Sequence, residues 1–441
     1  MTAALPTSDF ARQMQRRAHA LIPGGAHTYA KGDDQFPANA PPFIVRGSGC
    51  HVWDLDGREF IEYGMGLRAV TLGHAFAPVV EAAMRQLPHG INFTRPAPIE
   101  LEAAELLHSL VPGAEMVKFC KDGSHAVDGA IRLARAATGR DLVAICGDHP
   151  FFSTGDWFIG TGEMGAGIPP EVPRLVLKFD YNDRAGLQAL FDAHPGRIAC
   201  VLMEAARIDE PEGDYLHWVK ETAHAQGALL VFDEMITGFR WHTGGAQALY
   251  GVTPDLATFG KALANGFSVS ALTGRREFMR LGGIDHDRER VFLLSTTHGA
   301  QTHELAAAIA TMRFYRDHPV IETLHARGRR LREGIAQVAA AASLSAQIGV
   351  VSRDCNLLFY TRDAAGQPSQ PLRTLFMQEL IRHGILAPSF VVSWSHSEAD
   401  IDRTIEAVAR ALPVYRQALD ANSVDGLLDG PSVKPVFRRF A

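Results

Sequence analysis

Leu229-Leu-Val-Phe-Asp-Glu-Met-Ile-Thr-Gly-Phe-Arg240, followed after a Gly-rich loop by Leu256-Ala-Thr-Phe-Gly-Lys261, is the stretch that decides the fold. The apolar run Ala228 to Phe232 has the length and continuous hydrophobicity of a strand buried on both faces, as in a parallel sheet. It carries Asp233 at its C-terminal end. The second run, Leu256 to Phe259, delivers Gly260 and Lys261 in the same way. Ligands of open α/β sheets bind beyond the carboxyl ends of the strands. A carboxylate and an amine that both emerge there can grip two sides of one aromatic cofactor. Pyridoxal 5'-phosphate needs that pair, an amine for the imine and an acid to keep the ring nitrogen protonated. Taken alone, the segments also fit a common strand end and a solvated surface lysine.

From Met116 onward, apolar runs alternate with helical patterns. The strand candidates are Met116–Cys120, Leu142–Cys146, Leu175–Phe179, Ile198–Met203, Ala228–Phe232, Leu256–Phe259, Val269–Leu272 and Val291–Leu294. Such alternation predicts a mostly parallel sheet with helices on both faces. Between the first two candidates, Lys121-Asp-Gly-Ser-His-Ala opens a helix whose Val127, Ala130, Ile131 and Ala134 form one apolar stripe, with Gly139 as its stop. The Gly123-Ser124 pair puts amides and a hydroxyl at the positive end of that helix. This suits a phosphate, and equally an ordinary capped helix.

The flanks read differently. Helices are expected at about 10–21, 77–86, 99–110, 303–313, 320–342, 372–382 and 398–419, the last with Ser397 as N-cap and split or kinked at Pro413. Asp56-Gly57 marks a hairpin. Ala26 to Pro42 is loop and carries His27, Tyr29 and Lys31. Arg68 is the lone charge in a Gly-rich run from Tyr63 to His74, fit for a structural ion pair or for anion binding. Gly147 to Pro173, rich in aromatics and glycine, has the length of a lid, a binding loop or an interface element. In it His149 follows a strand end closely, where it could stack on a planar cofactor or serve as a structural histidine. The basic and aromatic tail from Asn422 is expected to dock on the surface.

Bulk properties exclude several classes. The 441 residues carry 46% hydrophobic and 21% charged side chains and a net charge of −6, which argues against nucleic-acid or anionic-membrane binding. The N-terminus has no basic region followed by an apolar core, and no run approaches a membrane span. The five cysteines are scattered, show no metal spacing, and suit a reducing cytoplasm.

Taken together, these motifs resemble class III aminotransferases of PLP fold type I, and within them the glutamate-1-semialdehyde 2,1-aminomutase branch. Asp233-Glu-Met-Ile-Thr-Gly-Phe-Arg240 and Tyr250-Gly-Val-Thr-Pro-Asp-Leu-Ala-Thr-Phe-Gly-Lys261 carry most of the likeness. Ile22-Pro-Gly-Gly, Asp54-Leu-Asp-Gly, Leu72-Gly-His74, His383-Gly-Ile-Leu-Ala-Pro-Ser and Ser397-Glu-Ala-Asp-Ile-Asp-Arg-Thr404 extend it over nearly the whole chain.

The resemblance implies a large domain, 56–318, with a mostly parallel seven-stranded sheet flanked by helices. It also implies a smaller α+β domain, 319–441, joined by the segment 1–55. Lys261 would carry pyridoxal 5'-phosphate as an aldimine and then move the proton in a ping-pong cycle. Asp233 would pair with the ring nitrogen. Met235 and His149 would cover the two ring faces, Gly123 and Ser124 would hold the phosphate, and Glu204 would lie near the ring hydroxyl. Thr297, with Thr296 before it, would reach the phosphate of a neighbouring subunit, giving a homodimer with shared active sites.

The substrate half departs from the aminomutase. Its Val-Asn-Ser-Pro-Val-Arg becomes Ala26-His-Thr-Tyr-Ala-Lys31, its tryptophan becomes Leu67 beside Arg68, and its Gly-Thr-Glu-Ala becomes Gly-Ser-His125-Ala. These departures favour an intermolecular aminotransferase with a polar, anionic acceptor met by Arg68, His27, Tyr29 and Lys31. An intramolecular aminomutase is the first rival. A decarboxylase or racemase on the same fold is the second, and a non-catalytic dimeric scaffold the third.

Overall fold

The computed structural model describes residues 7–440, so the expectation made of residues 1–6 lies outside the described residues. The chain forms two compact units, one of residues 77–321 with 437–441, the other of residues 1–76 with 322–436.

In the 77–321 unit, seven strands form one sheet in the order Met116–Cys120, Ser270–Gly274, Leu256–Phe259, Leu229–Asp233, Ile198–Met203, Leu142–Cys146 and Val176–Phe179. Ser270–Gly274 runs antiparallel to both neighbours, and the remaining pairs are parallel. The continuous apolar runs have their expected cause. Val143, Cys200, Val231 and Leu256 pack into one core with the Val127, Ala130, Ile131 and Ala134 stripe of the Gly123–Thr138 helix. On the other face, Ala144, Val201, Leu230 and Phe232 meet Leu187, Phe191, Val219 and Ala223 from the Arg184–Ala193 and Tyr215–Ala225 helices. Side chains alternate across a strand, so helices on both faces leave no polar side. Each buried Val, Leu or Phe contributes about 1.5–3 kcal/mol.

One expected strand is absent. Val291–Leu294 forms none, although Val291 and Leu293 still enter the core. The Arg132 guanidinium donates to the carbonyls of Phe292 and Leu293 at 3.0 and 3.2 Å, supplying partners that a ladder would otherwise provide. The apolar alternation there reports packing, not pairing.

The other unit contains a four-stranded sheet in the order Ile44–Ser48, His51–Asp54, Glu59–Glu62 and Ile385–Leu386, the last parallel to its neighbour. Its hairpin turns at Asp56-Gly57. A separate hairpin pairs Ile348–Val351 with Leu358–Thr361. Because Glu59–Glu62 pairs with both His51–Asp54 and Ile385–Leu386, the boundary expected after residue 55 falls inside a hairpin, and the compact unit runs on to Phe76. Ser8 and Ser369 cap the Asp9–Leu21 and Gln370–Arg382 helices. Ser397 and Asp400 form a capping box at the start of Glu398–Ala421, which continues through Pro413, so of the expected kink or split the split does not occur. The tail does more than lie on the surface. The Val433 amide donates to Thr374 Oγ1 at 3.0 Å, and the Lys434 amide to the Asp34 carbonyl at 2.9 Å. No helix among the described residues is long and apolar enough to cross a membrane.

Candidate functional site

Asp233 ends the Leu229–Asp233 strand and pairs in parallel register with Thr258. Gly260 and Lys261 follow that second strand directly, so the carboxylate and the amine leave neighbouring strands at the same edge. Asp233 is buried. Its Oδ1 accepts from the Met235 amide and from Thr258 Oγ1, both at 3.0 Å. Burial pushes its carboxyl above the ordinary value, while the Lys261 charge and these two donors pull it back. Thr258 escaped the sequence reading, and the available signal was a single hydroxyl inside an apolar run. Lys261 takes a positive φ of 46°, a left-handed conformation that costs a non-glycine residue about 1 kcal/mol.

Glu234, beside Asp233, does a different job. It is fully buried and accepts from the Ala246 and Gln247 amides at 2.7 and 2.9 Å and from Thr237 Oγ1. It thereby caps the Gly245–Tyr250 helix and folds the Gly-rich loop back on itself.

The Gly123–Thr138 helix starts next to this edge. Its N-cap is Asp122, whose carboxylate accepts from the His125 amide at 3.0 Å. Gly123 and Ser124 therefore sit inside the first turn, where amides lack intrahelical partners and the dipole is positive. A β-carbon on Gly123 would lie 2.9 Å from Met235 Sδ, and one on Gly260 would lie 2.6 Å from the same sulfur and 2.5 Å from Ser270 Oγ. The Met235 side chain thus fills the space between the helix start and the lysine turn, and a β-carbon on either glycine would push it aside. Gly123, Met235, Gly260, Lys261 and Asp233 are brought together.

Ser124 Oγ accepts from the Thr154 amide at 3.0 Å. Ser153 Oγ and Trp157 Nε1 both donate to Asp128 Oδ1 at 2.7 Å. The 150–173 loop is therefore pinned along its first residues to the helix below.

His149 is buried beside Tyr181, ring centroids 5.5 Å apart, and its Nδ1 accepts from the Glu204 amide at 3.0 Å. That bond places the ring proton on Nε2. Burial, with the nearby Arg207 charge, lowers the His149 pKa to about 3. The imidazole is neutral across the working range, a flat uncharged face. The folded state refuses a proton that the unfolded chain accepts below about pH 6.5. His149 therefore costs stability as pH falls from about 6.5 toward 3. His149→Phe should flatten the acid limb of a melting temperature against pH curve by calorimetry; an unchanged limb would sink this assignment.

Thr296 and Thr297 are exposed on a loop held by Asn92 Nδ2, which donates to the Thr297 carbonyl at 3.0 Å.

The residues expected to meet substrate belong to the other unit. Met65, Gly66, Leu67 and Arg68 all have positive φ, at 43°, 57°, 56° and 71°, one left-handed turn. Three non-glycine residues so placed store about 1–2 kcal/mol each. Arg68 donates from Nε to Asn356 Oδ1 at 3.0 Å. His27, Tyr29 and Lys31 are exposed in a loop of short 3-10 turns, Tyr29 at 63%. Of these four, Lys31 alone borders a cavity of about 910 Å³, whose walls include Phe36, Phe43, Val52, Leu67, Leu386 and Val433.

Sequence spacing gave no hint that Cys50, His51 and Asp400 meet, with candidate ligand atoms all within 4.8 Å. Cys50 Sγ donates to Asp400 Oδ2 at 3.4 Å and His51 Nε2 lies 3.0 Å from Oδ1. Burial and the Asp400 charge hold the thiol well above its ordinary range, so the group acts as an extension of the Ser397–Asp400 helix cap.

The profile described as Aminotransferase class-III matches residues 29–353. A glutamate-1-semialdehyde 2,1-aminomutase from Akkermansia muciniphila is 33% identical, the alignment covering 91% of this chain and 98% of that protein. A 3-aminobutyryl-CoA aminotransferase from Cloacimonas acidaminovorans is 30% identical, over 91% and 96%. The solved structure of the PLP internal aldimine form of Sphingopyxis sp. MTA144 FumI protein superposes with a TM-score of 0.85 at 27% identity, covering 93% of this chain and 97% of that one.

Proposed function

The chain belongs to the class III aminotransferase family, and from that premise we propose that it transfers an amino group from an amine donor to the carbonyl of a polar, anionic small molecule, using pyridoxal 5'-phosphate. One observation carries the reading. Lys261 and the buried Asp233 leave adjacent strands close enough for the lysine charge to act on the acid, beside a helix start whose Gly123 and Ser124 amides have no intrahelical partner. The donor set fits the cofactor, with a carboxylate for the ring nitrogen, amides for the phosphate, and two glycines that leave room around Met235.

Bound there, the cofactor supplies an electron sink for the pair left when a donor carbon loses its proton. The protein does the rest. Asp233, oriented by Thr258 and the Met235 amide, would hold the proton on the ring nitrogen. The Gly123 and Ser124 amides would hold the phosphate at the helix N-terminus. Met235 and the neutral His149 ring would cover the two faces, with Glu204 at the hydroxyl side. Lys261 would tether the cofactor. Once released, its Nζ would take the proton from the donor carbon and return it. Donor and acceptor would follow one another in a ping-pong cycle, the acceptor's anionic group met by Arg68, His27, Tyr29 and Lys31.

A homodimer completes the reading. Thr296 and Thr297 are exposed, and the chain around Asn92 that holds their loop exposes Met84, Leu87, Ile91, Phe93 and Leu101, apolar surface suited to a second copy. Five buried cysteines, none in a disulfide, suit the reducing cytoplasm expected.

The 33% identity to an aminomutase favours a second reading, intramolecular transfer without a separate acceptor. One assay separates the two. Single amines, mixed with the loaded enzyme without acceptor, should discharge its visible absorbance, and an added oxo acid should restore it. Isomerisation of glutamate-1-semialdehyde with no other substrate, and no spectral response to any amine, would replace the aminotransferase reading with the aminomutase one.

A further inference from the structure

We propose that the 910 Å³ cavity receives an amphiphile, an anionic head on an apolar chain, rather than a short dicarboxylate.

The walls set the body of the ligand. Phe36, Phe43, Val52, Leu67, Leu386 and Val433 present carbon to the space, and Val52 and Leu386 continue into a small core with Phe60 and Ile381. Its volume suits a ligand with a sizeable apolar part. A short diacid would leave most of these walls wet.

The charges set the head. The acids at the cavity are already engaged. Glu62 Oε2 accepts from the Met65 amide at 2.7 Å and lies 3.1 Å from His74 Nε2, and Asp33 Oδ2 accepts from Gln15 at 3.0 Å and meets His19 at 2.8 Å. Asp34 also has a partner. Lys31 and Lys434 line the same cavity, are exposed, and make no side-chain hydrogen bond or ion pair among the described residues. Two uncommitted ammonium groups at the rim of an apolar cavity select an anion joined to a chain.

The walls are also held in place. The tail is tied by the Val433 and Lys434 amides, and Asn39 Nδ2 donates to the Gln378 carbonyl at 3.0 Å while Gln378 Nε2 donates to the Leu427 carbonyl at 2.8 Å. A preformed cavity loses little order when filled.

The test is calorimetric binding of octanoate and succinate to the loaded enzyme. Octanoate should bind at least about tenfold more tightly. Lys31→Gln with Lys434→Gln, both exposed and so safe for folding, should weaken octanoate by about tenfold. Ala30→Trp, which fills the cavity, should remove octanoate binding. Equal affinity for the two probes, or an octanoate affinity that neither variant changes, overturns the proposal.

Discussion

Alanine in place of Lys261 should lower kcat/KM by on the order of 10⁴-fold or more, about 5.5 kcal/mol of transition-state stabilisation. The size follows from position. Lys261 follows Gly260 directly at the strand end, in a left-handed conformation, with its charge acting on the buried Asp233. Proton transfer at carbon needs a base held at contact, and a solvent molecule or buffer is a poor substitute. Loss of activity alone would not discriminate, because any collapse of the site produces it. Borohydride treatment therefore accompanies the kinetics. In the wild type it should fix the cofactor to the peptide containing Lys261, detected by mass, and in the variant to none. A variant that keeps its colour, its labelled peptide and its rate defeats the assignment.

Asp233→Asn should cost on the order of 10³-fold in kcat, about 4 kcal/mol. Asparagine keeps the shape and can still accept from Thr258 Oγ1 and the Met235 amide, but supplies no charge to keep a ring nitrogen protonated. The stability readout should move the other way. Burial raises the Asp233 carboxyl, so at pH above its unfolded value the folded state binds more protons than the unfolded chain. Stability is then lost as pH rises from the ordinary carboxyl range through the raised value. Asparagine carries no such penalty, so the variant freed of cofactor should melt no lower than the wild type at neutral pH. A fall in both activity and melting temperature would assign Asp233 a structural role instead. Glu234 offers the contrast. Its carboxylate holds the Ala246 and Gln247 amides, and its loss leaves buried donors unmet.

Strands buried on two faces were legible because they read as unbroken apolar runs, and all seven in the large sheet fall within a residue or two of their expected positions. Val291–Leu294 failed because apolar alternation reports a buried side, and Arg132 had already taken the carbonyls. Asp233 and Lys261 were legible for a simple reason: a charged residue closing a buried run has to emerge at the sheet edge. The choice of cap for the Gly123–Thr138 helix stayed open in the sequence, since Asp122 and Ser124 are equally good acceptors and only the backbone decides. The left-handed turn at Met65–Arg68 could not be read at all. Nothing in Met, Leu or Arg favours positive φ, and tertiary packing imposes it. Nor could the cavity, whose walls come from segments hundreds of residues apart.

That separation in sequence bears on how the chain is made. The unit of residues 77–321 is continuous apart from the 437–441 tail, so it can close as soon as it leaves the ribosome. The sheet that holds Glu59–Glu62 cannot, because its parallel neighbour is Ile385–Leu386. At ordinary synthesis rates the early hairpin waits on the order of tens of seconds with an unpaired edge. Nascent chains stalled between these two points should be the species that chaperones bind and that aggregate when expression is fast.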